Sequence, residues 1–339
     1  MSWSHRLLEV DASGGQVERP PGATGGLAGA VAGLIAQQKA SWPQLARGYA
    51  ALDAVQTRPI QVGRSGVVLQ HNPGRIRNTT ADVAAAAAGE RPCFLCPGSL
   101  PPEERGIPFG ADLVILCNPV PILDRHLSIV HRDHVPQRLD GSVGALLELA
   151  ESLGPRFFVL YNGPRCGASA PDHLHFQACA RDLLPVERDL AGRAPGSAAG
   201  DGEGCVVLPA QDYGRSVIVL RARDRGTLGH WIQEVVGALP GNGGEEPLVN
   251  IVCAAGLDQL TAFVFPRARH RPSAYFAGGD ERLLVSPGAI DMAGVVVLPE
   301  RRDFERLDAR RLAAVFDEVT LPGELVNQAM ERACPALLR

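Results

Sequence analysis

Two histidines and a glutamine alternate with apolar residues in the middle of the chain, in the stretch His173-Leu174-His175-Phe176-Gln177. On a β-strand, alternate side chains face the same side, so the two imidazoles and the amide would share one polar face. A neutral imidazole is suited to nucleophilic attack on phosphorus, and an amide holds a phosphate oxygen without adding charge. The competing interpretation is a polar strand edge with solvated histidines.

A loop of small residues precedes this stretch and offers groups that suit an anion. It contains Gly163, Gly167, Ala168 and Ser169. Small residues let backbone N–H groups approach an anion closely. The loop and the alternating polar residues together favour a phosphate-handling site over a solvated edge.

The pattern Asn-Gly-x-x-Cys-Gly-Ala-Ser-x-x-x-His-x-His-x-Gln, which spans 162–177, resembles the active-site strand of the histidine-triad superfamily. It is similar to the transferase branch, which includes diadenosine tetraphosphate phosphorylase, GDP-galactose phosphorylase and galactose-1-phosphate uridylyltransferase. An uncharacterised bacterial adenylyltransferase-like family is the nearest resemblance. Two further segments, 118–130 and 285–295, resemble the phosphorylases, so the likeness extends over about residues 70–300.

The resemblance implies a role for each residue of the motif. His175 would be the nucleophile that forms a nucleotidyl-histidine, and Gln177 would contact the transferred phosphate. Asn162, Gly167 and Ser169 would line the phosphates. The hydrolase branch carries a third histidine where this chain has Gln177, which favours transfer or phosphorolysis over hydrolysis. We also expect a backbone carbonyl to hold the other ring nitrogen of His175 and so fix its tautomer.

A pair of cysteines, Cys93 and Cys96, has the spacing of metal ligands in a loop. His131, His134 and His173 are the candidates in the sequence for the other two positions. The resemblance to the uridylyltransferases implies the set Cys93, Cys96, His134 and His173, which would be a structural Zn²⁺ site. Two buried, reduced cysteines and a redox couple are the alternatives. The remaining single cysteines are expected in the core: Cys117, Cys179, Cys205, Cys253 and Cys334.

Arginine-rich turns supply further candidates for binding phosphate. Arg267, Arg269 and Arg271 would share one side if the preceding strand continued through them, and we favour Arg267 and His270 as contacts to an acceptor. The alternative is a solvated charged face. Arg75 follows the turn Asn72-Pro73-Gly74 and either holds a phosphate or caps that turn.

Strand-like runs separated by helical segments predict an α+β fold with antiparallel sheets. The resemblance implies two histidine-triad-like halves, each with an antiparallel sheet packed with helices. The boundaries we expect are an N-terminal arm and helix at 1–60, a catalytic half at 61–195 and a second half at 205–339. More locally, we expect one strand at 60–70, a helix at 82–88, a Ser142 cap on a helix at 143–153, and a linker at 181–204.

Composition excludes several classes of protein. The 339 residues carry a net charge of −4, which disfavours a nucleic-acid binder that depends on a basic surface. The only lysine, Lys39, does not lie in a phosphate-binding loop of the Walker type. No apolar run reaches the ~20 residues that a membrane span needs, and no export signal is evident, so we expect a cytoplasmic protein.

The sequence therefore predicts a nucleotidyltransferase or phosphorylase. Its donor would be a nucleoside polyphosphate or nucleotide-sugar, and its acceptor a phosphate or sugar phosphate. Mg²⁺ bound with the substrate phosphates is compatible with this scheme. The alternatives are a dinucleoside polyphosphate hydrolase and a nucleotide-binding protein without turnover. The base, the acceptor and the oligomeric state are left open.

Overall fold

A nine-stranded antiparallel sheet runs through the centre of the molecule. The structure is a computed structural model that describes residues 2–8, 26–80, 92–191, 204–241 and 244–333. The strands are β1 (Gln56–Val62), β2 (Ser65–His71), β3 (Gly106–Phe109), β4 (Leu113–Cys117), β5 (Leu127–His131), β6 (Phe157–Asn162), β7 (His175–Ala180), β8 (Gly204–Leu208), β9 (Val217–Ala222), β10 (Val249–Ala255), β11 (Leu260–Pro266) and β12 (Val295–Leu298). The large sheet has the order β3-β4-β5-β7-β6-β10-β11-β9-β8.

Helices and a small second sheet cover the two faces of the large sheet. The helices are α1 (Leu27–Ser41), α2 (Pro43–Asp53), α3 (Ile76–Thr79), α4 (Val143–Leu153), α5 (Pro185–Leu190), α6 (Ala210–Tyr213), α7 (Arg225–Ala238), α8 (Ser273–Phe276), α9 (Ala289–Met292), α10 (Arg301–Arg306), α11 (Ala309–Val319) and α12 (Gly323–Ala333). The small sheet has the order β1-β2-β12, and β12 runs parallel to β2. Within the described residues, no helix has the length and apolar character needed to cross a membrane.

Strand alternation divides the large sheet between two cores. In β6, Val159 and Tyr161 pack with α1, α2, α4, α7 and α12, whereas Phe158 and Leu160 face the small sheet and α9 to α11. Residues on β7 that point toward the small sheet therefore lie between the two layers. This is the region in which the candidate site is found.

The predicted α+β class is confirmed, and the strands of the two predicted halves form one continuous sheet. The pairing of β6 with β10 joins them, with Asn162 opposite Asn250. A strand from the second half also completes the small sheet, because β12 pairs with β2 of the first. The predicted domain boundaries stay a prediction.

Three local predictions differ in part from the structure, and in each case the structure gives the reason. The strand expected at 60–70 is part of a hairpin, because Gly63 adopts a positive φ of 57° and turns the chain between β1 and β2. In the described part of the linker expected at 181–204, residues 185–190 form α5, whose Val186 and Leu190 are buried in the core beside the small sheet; residues 192–203 lie outside the described residues. Ser142 occupies the N-cap position of α4 as predicted, but its hydroxyl donates to the carbonyls of residues 138 and 139 and makes no capping hydrogen bond. The helix predicted at 82–88 lies outside the described residues.

Candidate active site

His175 has one ring nitrogen tied to the backbone and the other without a partner. Nδ1 lies 2.8 Å from the carbonyl oxygen of His173. Because a carbonyl only accepts, Nδ1 carries the proton and Nε2 is the unprotonated nitrogen. Nε2 is buried and has no hydrogen-bond partner in the described part of the chain. Burial lowers the pKa of His175 to about 4, so the ring is neutral near pH 7. The expected carbonyl contact is thus confirmed.

The polar face predicted for β7 is present, and it is not a solvated edge. Phe176 packs in the core on the helical side of the sheet, so His175 and Gln177 face the opposite side. His173 and His175 are only 0% and 4% exposed, which makes the interpretation as solvated histidines wrong. His173 lies just before β7, and its ring turns toward the cysteine pair.

A buried glutamine that the sequence analysis missed fixes the backbone at the start of β7. The Gln137 Oε1 atom accepts the N–H of His175 at 2.7 Å. Its Nε2 donates to the carbonyls of Asn162 and His175 at 2.9 and 3.0 Å. The two strands diverge here to make room for the loop 163–174, and Gln137 replaces the strand-to-strand hydrogen bonds that this divergence removes.

Asn162 presents its amide nitrogen to the site because its oxygen is fully engaged. Oδ1 accepts hydrogen bonds from Asn250 Nδ2 at 2.7 Å and from the Ala289 N–H at 2.8 Å. A backbone N–H can only donate, so this contact assigns the amide orientation. Nδ2 has no protein partner among the described residues, and Asn162 lines a cleft. This side chain can therefore donate to an anionic ligand.

Gly167 allows the loop to approach the second half of the chain closely. Its φ is 97°, and a Cβ there would lie 3.0 Å from the Cα of Gly288. Gly167 and Gly288 both line the cleft. A side chain at Gly167 would push the two loops apart, and one at Gly288 would press on the Asn162 amide, 3.1 Å from its Oδ1.

The cleft brings together residues from both halves of the sequence. It is partly open to solvent, and the centre of a water molecule can reach only about 80 Å³ of it, so the cleft is narrow in this structure. Its lining includes most of the predicted phosphate-binding residues: Arg75, Asn162, Gly167, Ser169, Gln177 and His270. It also includes Arg271, Ser286 and Asp291, which were not predicted as site residues. Arg267, His173 and His175 are absent from the lining.

Arg75 reaches the cleft while making one hydrogen bond to the protein. Its Nη1 donates to the carbonyl of Val120 at 2.9 Å. This contact ties the helical turn after β2 to the loop before β5, so the side chain does more than cap its own turn. Its other N–H groups have no hydrogen-bond partner in the described residues and are free to meet an anion.

Arg267 is a structural residue, which corrects its predicted role in holding phosphate. The residue is 3% exposed, and its guanidinium donates to five oxygen atoms. The acceptors are Val319 O, Asn250 Oδ1, Pro287 O, Arg269 O and His270 O. All five N–H groups are used, so none is left for a ligand.

The three arginines 267, 269 and 271 do not share a side, because β11 ends at Pro266 and the chain then turns. Arg269 forms an exposed ion pair with Glu318 at 2.7 Å. Arg271 lines the cleft, lies over the ring of Tyr275 and donates to Ser286 Oγ at 3.0 Å. The prediction of a single basic face is therefore wrong.

His270 and Asp291 give the cleft two further polar groups. His270 Nε2 lies 3.1 Å from Ser286 Oγ, and burial, reinforced by the charges of Arg267 and Arg271, lowers its pKa to about 3. His270 is therefore neutral near pH 7. The carboxylate of Asp291 accepts the N–H groups of Gly288 and Val297 at 2.9 and 3.0 Å. It is an acceptor in a cleft otherwise rich in donors.

The predicted metal ligands lie together in the structure. Ligand atoms of Cys93, Cys96, His134 and His173 all lie within 4.8 Å of one another and could hold a metal ion. The His173 Nδ1 atom lies 3.2 and 3.6 Å from the two cysteine sulfurs, and His134 Nδ1 lies 3.3 Å from the Cys96 sulfur. In a tetrahedral zinc site, sulfur and nitrogen ligands stand about 3.6 Å apart.

Both histidines of this cluster are oriented for ligation. His173 Nε2 donates to the carbonyl of His131 at 2.7 Å, so Nδ1 keeps the lone pair that faces the sulfurs. His134 Nε2 lies 3.5 Å from a carboxylate oxygen of Asp172. Such outer contacts are typical of metal-bound histidines. The residues present therefore fit a Cys₂His₂ metal site.

The other described cysteines behave as predicted. Cys117, Cys179, Cys205 and Cys253 are buried, and none of the cysteines within the described residues forms a disulfide. Cys334 lies outside the described residues.

The fold of this chain is similar to that of a yeast phosphorylase of known structure. The crystal structure of yeast Ap4A phosphorylase in complex with AMP matches with a TM-score of 0.56 at 15% identity, over 85% of this chain and 97% of that chain. The same yeast enzyme in complex with Ap4A has a TM-score of 0.51 at 13% identity, over 83% and 97% of the two chains. At these identities the likeness shows a shared fold.

Other comparisons are weaker or describe no function. An ADP-glucose phosphorylase from Arabidopsis thaliana with bound ADP-glucose has a TM-score of 0.31 at 16% identity, over 79% of this chain and 100% of that chain, which does not establish a shared fold. Residues 34–180 match the family model described as Domain of unknown function (DUF4922). No curated protein matches the sequence.

Proposed function

We propose that this protein is a nucleotidyltransferase or phosphorylase that works through a covalent nucleotidyl-His175 intermediate. The donor is a nucleoside polyphosphate or a nucleotide-sugar, and the acceptor is a phosphate or sugar phosphate. The observation that carries this proposal is the buried, neutral and unpartnered Nε2 of His175. An acceptor left without a hydrogen bond costs ~1–3 kcal/mol, and such groups are kept where they have a role.

In the first step, the Nε2 lone pair attacks the α-phosphorus of the donor. A P–N bond forms, the P–O bond to the leaving group breaks, and that oxygen takes the electron pair. Nδ1–H stays bonded to the His173 carbonyl, which stabilises the positive charge that develops on the ring. Donor groups from Gln177, Asn162 and Arg75 line the cleft on the same side of the sheet and would hold the phosphate oxygens.

In the second step, an oxygen of the acceptor attacks the phosphorus of the intermediate. The P–N bond breaks and its electron pair returns to Nε2, which regenerates the neutral ring. Arg271 and His270 lie in the same cleft and come from the second half of the chain, so they are placed to contact the acceptor. The roles of the two histidines differ, because His173 acts through its carbonyl and its ring faces the cysteine pair.

Zn²⁺ is the metal that best fits the cluster of Cys93, Cys96, His134 and His173. With all four positions filled by protein, the ion would brace the loop and strand without contacting substrate. The same residue, His173, would then be a metal ligand through its ring and the partner of His175 through its carbonyl.

A hydrolase of dinucleoside polyphosphates is the second candidate. It would use the same His175 adduct with water as acceptor. The amide of Gln177 cannot exchange a proton with water as a third histidine would, which favours transfer. Comparing products with and without added orthophosphate distinguishes the two reactions.

The test is intact-protein mass after incubation with nucleotides and nucleotide-sugars labelled at the α-phosphate. The yeast Ap4A phosphorylase was solved with AMP and with Ap4A, so adenine dinucleotides head the panel. We expect one nucleoside monophosphate to be added to the wild type, none to His175→Ala, and the wild-type amount to His230→Ala, which alters an exposed histidine on α7. Binding of a donor without an adduct in any sample would contradict the covalent mechanism and favour a nucleotide-binding protein.

A further inference from the structure

His126 contacts the amide oxygen of Gln177, and it was not among the predicted site residues. It is fully buried just before β5, beside β7 in the large sheet. Its Nε2 lies 2.8 Å from Gln177 Oε1, and its Nδ1 lies 3.1 Å from the backbone nitrogen of Ile122. Both ring nitrogens therefore have one partner each.

The contact with Ile122 determines which nitrogen of His126 carries the proton. A backbone N–H only donates, so Nδ1 of His126 must accept and Nε2 must carry the hydrogen. Burial, with the nearby charge of Arg75, lowers the pKa of His126 to about 4, so the ring has one proton near pH 7. Nε2–H then donates to Gln177, which must offer its oxygen.

The proton on Nε2 of His126 determines the orientation of the Gln177 amide. If the amide were flipped, its N–H₂ group would face the Nε2–H of His126, and two donors would meet in a buried place. With Oε1 held by His126, the Nε2 amide group is left without a hydrogen-bond partner among the described residues, in a side chain that lines the cleft. Gln177 therefore presents N–H groups, and no acceptor, to a ligand.

We propose that His126 is a positioning residue that directs the N–H groups of Gln177 toward the transferred phosphate. The catalytic part of this inference rests on the proposed function. The orientation of the Gln177 amide does not rest on that function. It follows from three groups that are hydrogen-bonded one to the next: the backbone N–H of Ile122, the imidazole of His126 and the amide of Gln177.

The alternative is that His126 only tethers the loop before β5. That loop has other attachments. The carbonyl of Ile122 accepts from Gln70 Nε2 at 2.9 Å, and the carbonyl of Val120 accepts from Arg75. The oxygen of Gln177, by contrast, has His126 as its one hydrogen-bond partner among the described residues. Holding the amide oxygen of Gln177 is therefore a role that His126 alone fills among the described residues.

Two substitutions of His126 test the two ring nitrogens one at a time, because each variant can replace only one of them. In His126→Gln, the amide nitrogen can take the place of Nε2 and still donate to Gln177. In His126→Asn, the shorter side chain can replace only Nδ1 and accept from Ile122. We expect His126→Gln to form the nucleotidyl adduct at close to the wild-type rate. We expect His126→Asn to be about tenfold slower, the effect of one misdirected hydrogen bond. Equal rates in both variants, or a faster His126→Asn, would overturn the proposal.

The unmodified protein supplies a test that needs neither variant nor activity. Long-range ¹H–¹⁵N correlation in histidine-labelled wild type reports the tautomer of His126, assigned by its absence from His126→Gln. We expect the proton on Nε2, and a proton on Nδ1 would overturn the proposal even if adducts form. If the wild type forms no adduct but His126 has the Nε2–H tautomer, the proposed function fails while the assigned orientation of Gln177 stands.

Discussion

At the scale of single residues, similar side chains in this site have different tasks, and their hydrogen bonds decide which. Arg267 and Arg75 both come from arginine-rich turns. Arg267 uses all five N–H groups on protein oxygens, whereas Arg75 uses one and reaches the cleft. Burial and fully used donors indicate a structural role for Arg267, whereas unused donors in a cleft support the proposed binding role of Arg75.

This difference predicts opposite effects for two substitutions. Arg267→Lys keeps the charge but cannot reach five acceptors, so we expect the free energy of unfolding to fall by about 2–4 kcal/mol. Arg75→Gln should leave stability close to the wild type and weaken AMP binding about tenfold, since it removes a charged donor from the cleft. Denaturant unfolding and calorimetric titration with AMP measure the two effects. Loss of binding without loss of stability in Arg267→Lys would contradict the assignment.

At the scale of elements, His173 connects the proposed metal site to β7, the strand that begins with His175. Its ring belongs to the cysteine cluster, and its carbonyl holds Nδ1 of His175. A bound metal would therefore fix the loop that sets the tautomer of the nucleophile. Without a metal the loop would have fewer attachments, so we expect the His173 carbonyl to be held less firmly.

We therefore expect Cys93→Ser to lose bound zinc and to lower both the melting temperature and the rate of adduct formation. The wild type should contain one zinc per chain by elemental analysis, because the cluster offers four ligands. Cys205→Ala is the matched control, since it removes a buried thiol far along the chain from the cluster. It should keep the full zinc content. A wild type purified without metal that cannot bind added Zn²⁺ would refute the site.

The sequence predicted those parts of the site that a local pattern determines. The face shared by His175 and Gln177 follows from strand alternation, and Cys93 with Cys96 follows from spacing. His126 and Gln137 were missed because their partners lie 51 and 38 residues away in the chain. The signal for His126 appears only once strand pairing places Ser128 opposite Gln177. Arg267 was misassigned because a sequence does not show whether an arginine finds five carbonyl partners.

At the scale of the whole molecule, the site depends on strands that are distant in sequence. The pair β6–β10 joins the two predicted halves, and Asn162 and Asn250 face each other across it and are hydrogen-bonded. Asn162 also accepts from the N–H of Ala289 at the start of α9. The cleft is therefore formed by the complete fold, so global stability and site integrity should be lost together.

Global stability should depend on pH through a buried carboxyl far from the cleft. Burial raises the pKa of Glu104 to about 8, an effect that the nearby Arg6 only partly opposes. The unfolded chain has the ordinary pKa of about 4.5. Between those values the folded state holds a proton that the unfolded state lacks. Stability therefore falls as pH rises through this range, by about 1.4 kcal/mol per pH unit from this group, and levels off above pH 8.

Glu104→Gln removes this titrating group, so the free energy of unfolding should fall less steeply as pH rises. We expect the variant to be more stable than the wild type at pH 8 and to differ least near pH 5. The exposed neighbour supplies the control, because Glu103→Gln should keep the wild-type profile. Urea unfolding at a series of pH values measures all three proteins. If wild type and Glu104→Gln show the same slope of unfolding free energy against pH, Glu104 is ionised in the folded protein. Adduct formation measured over the same pH series would show whether the proposed activity is lost together with the fold.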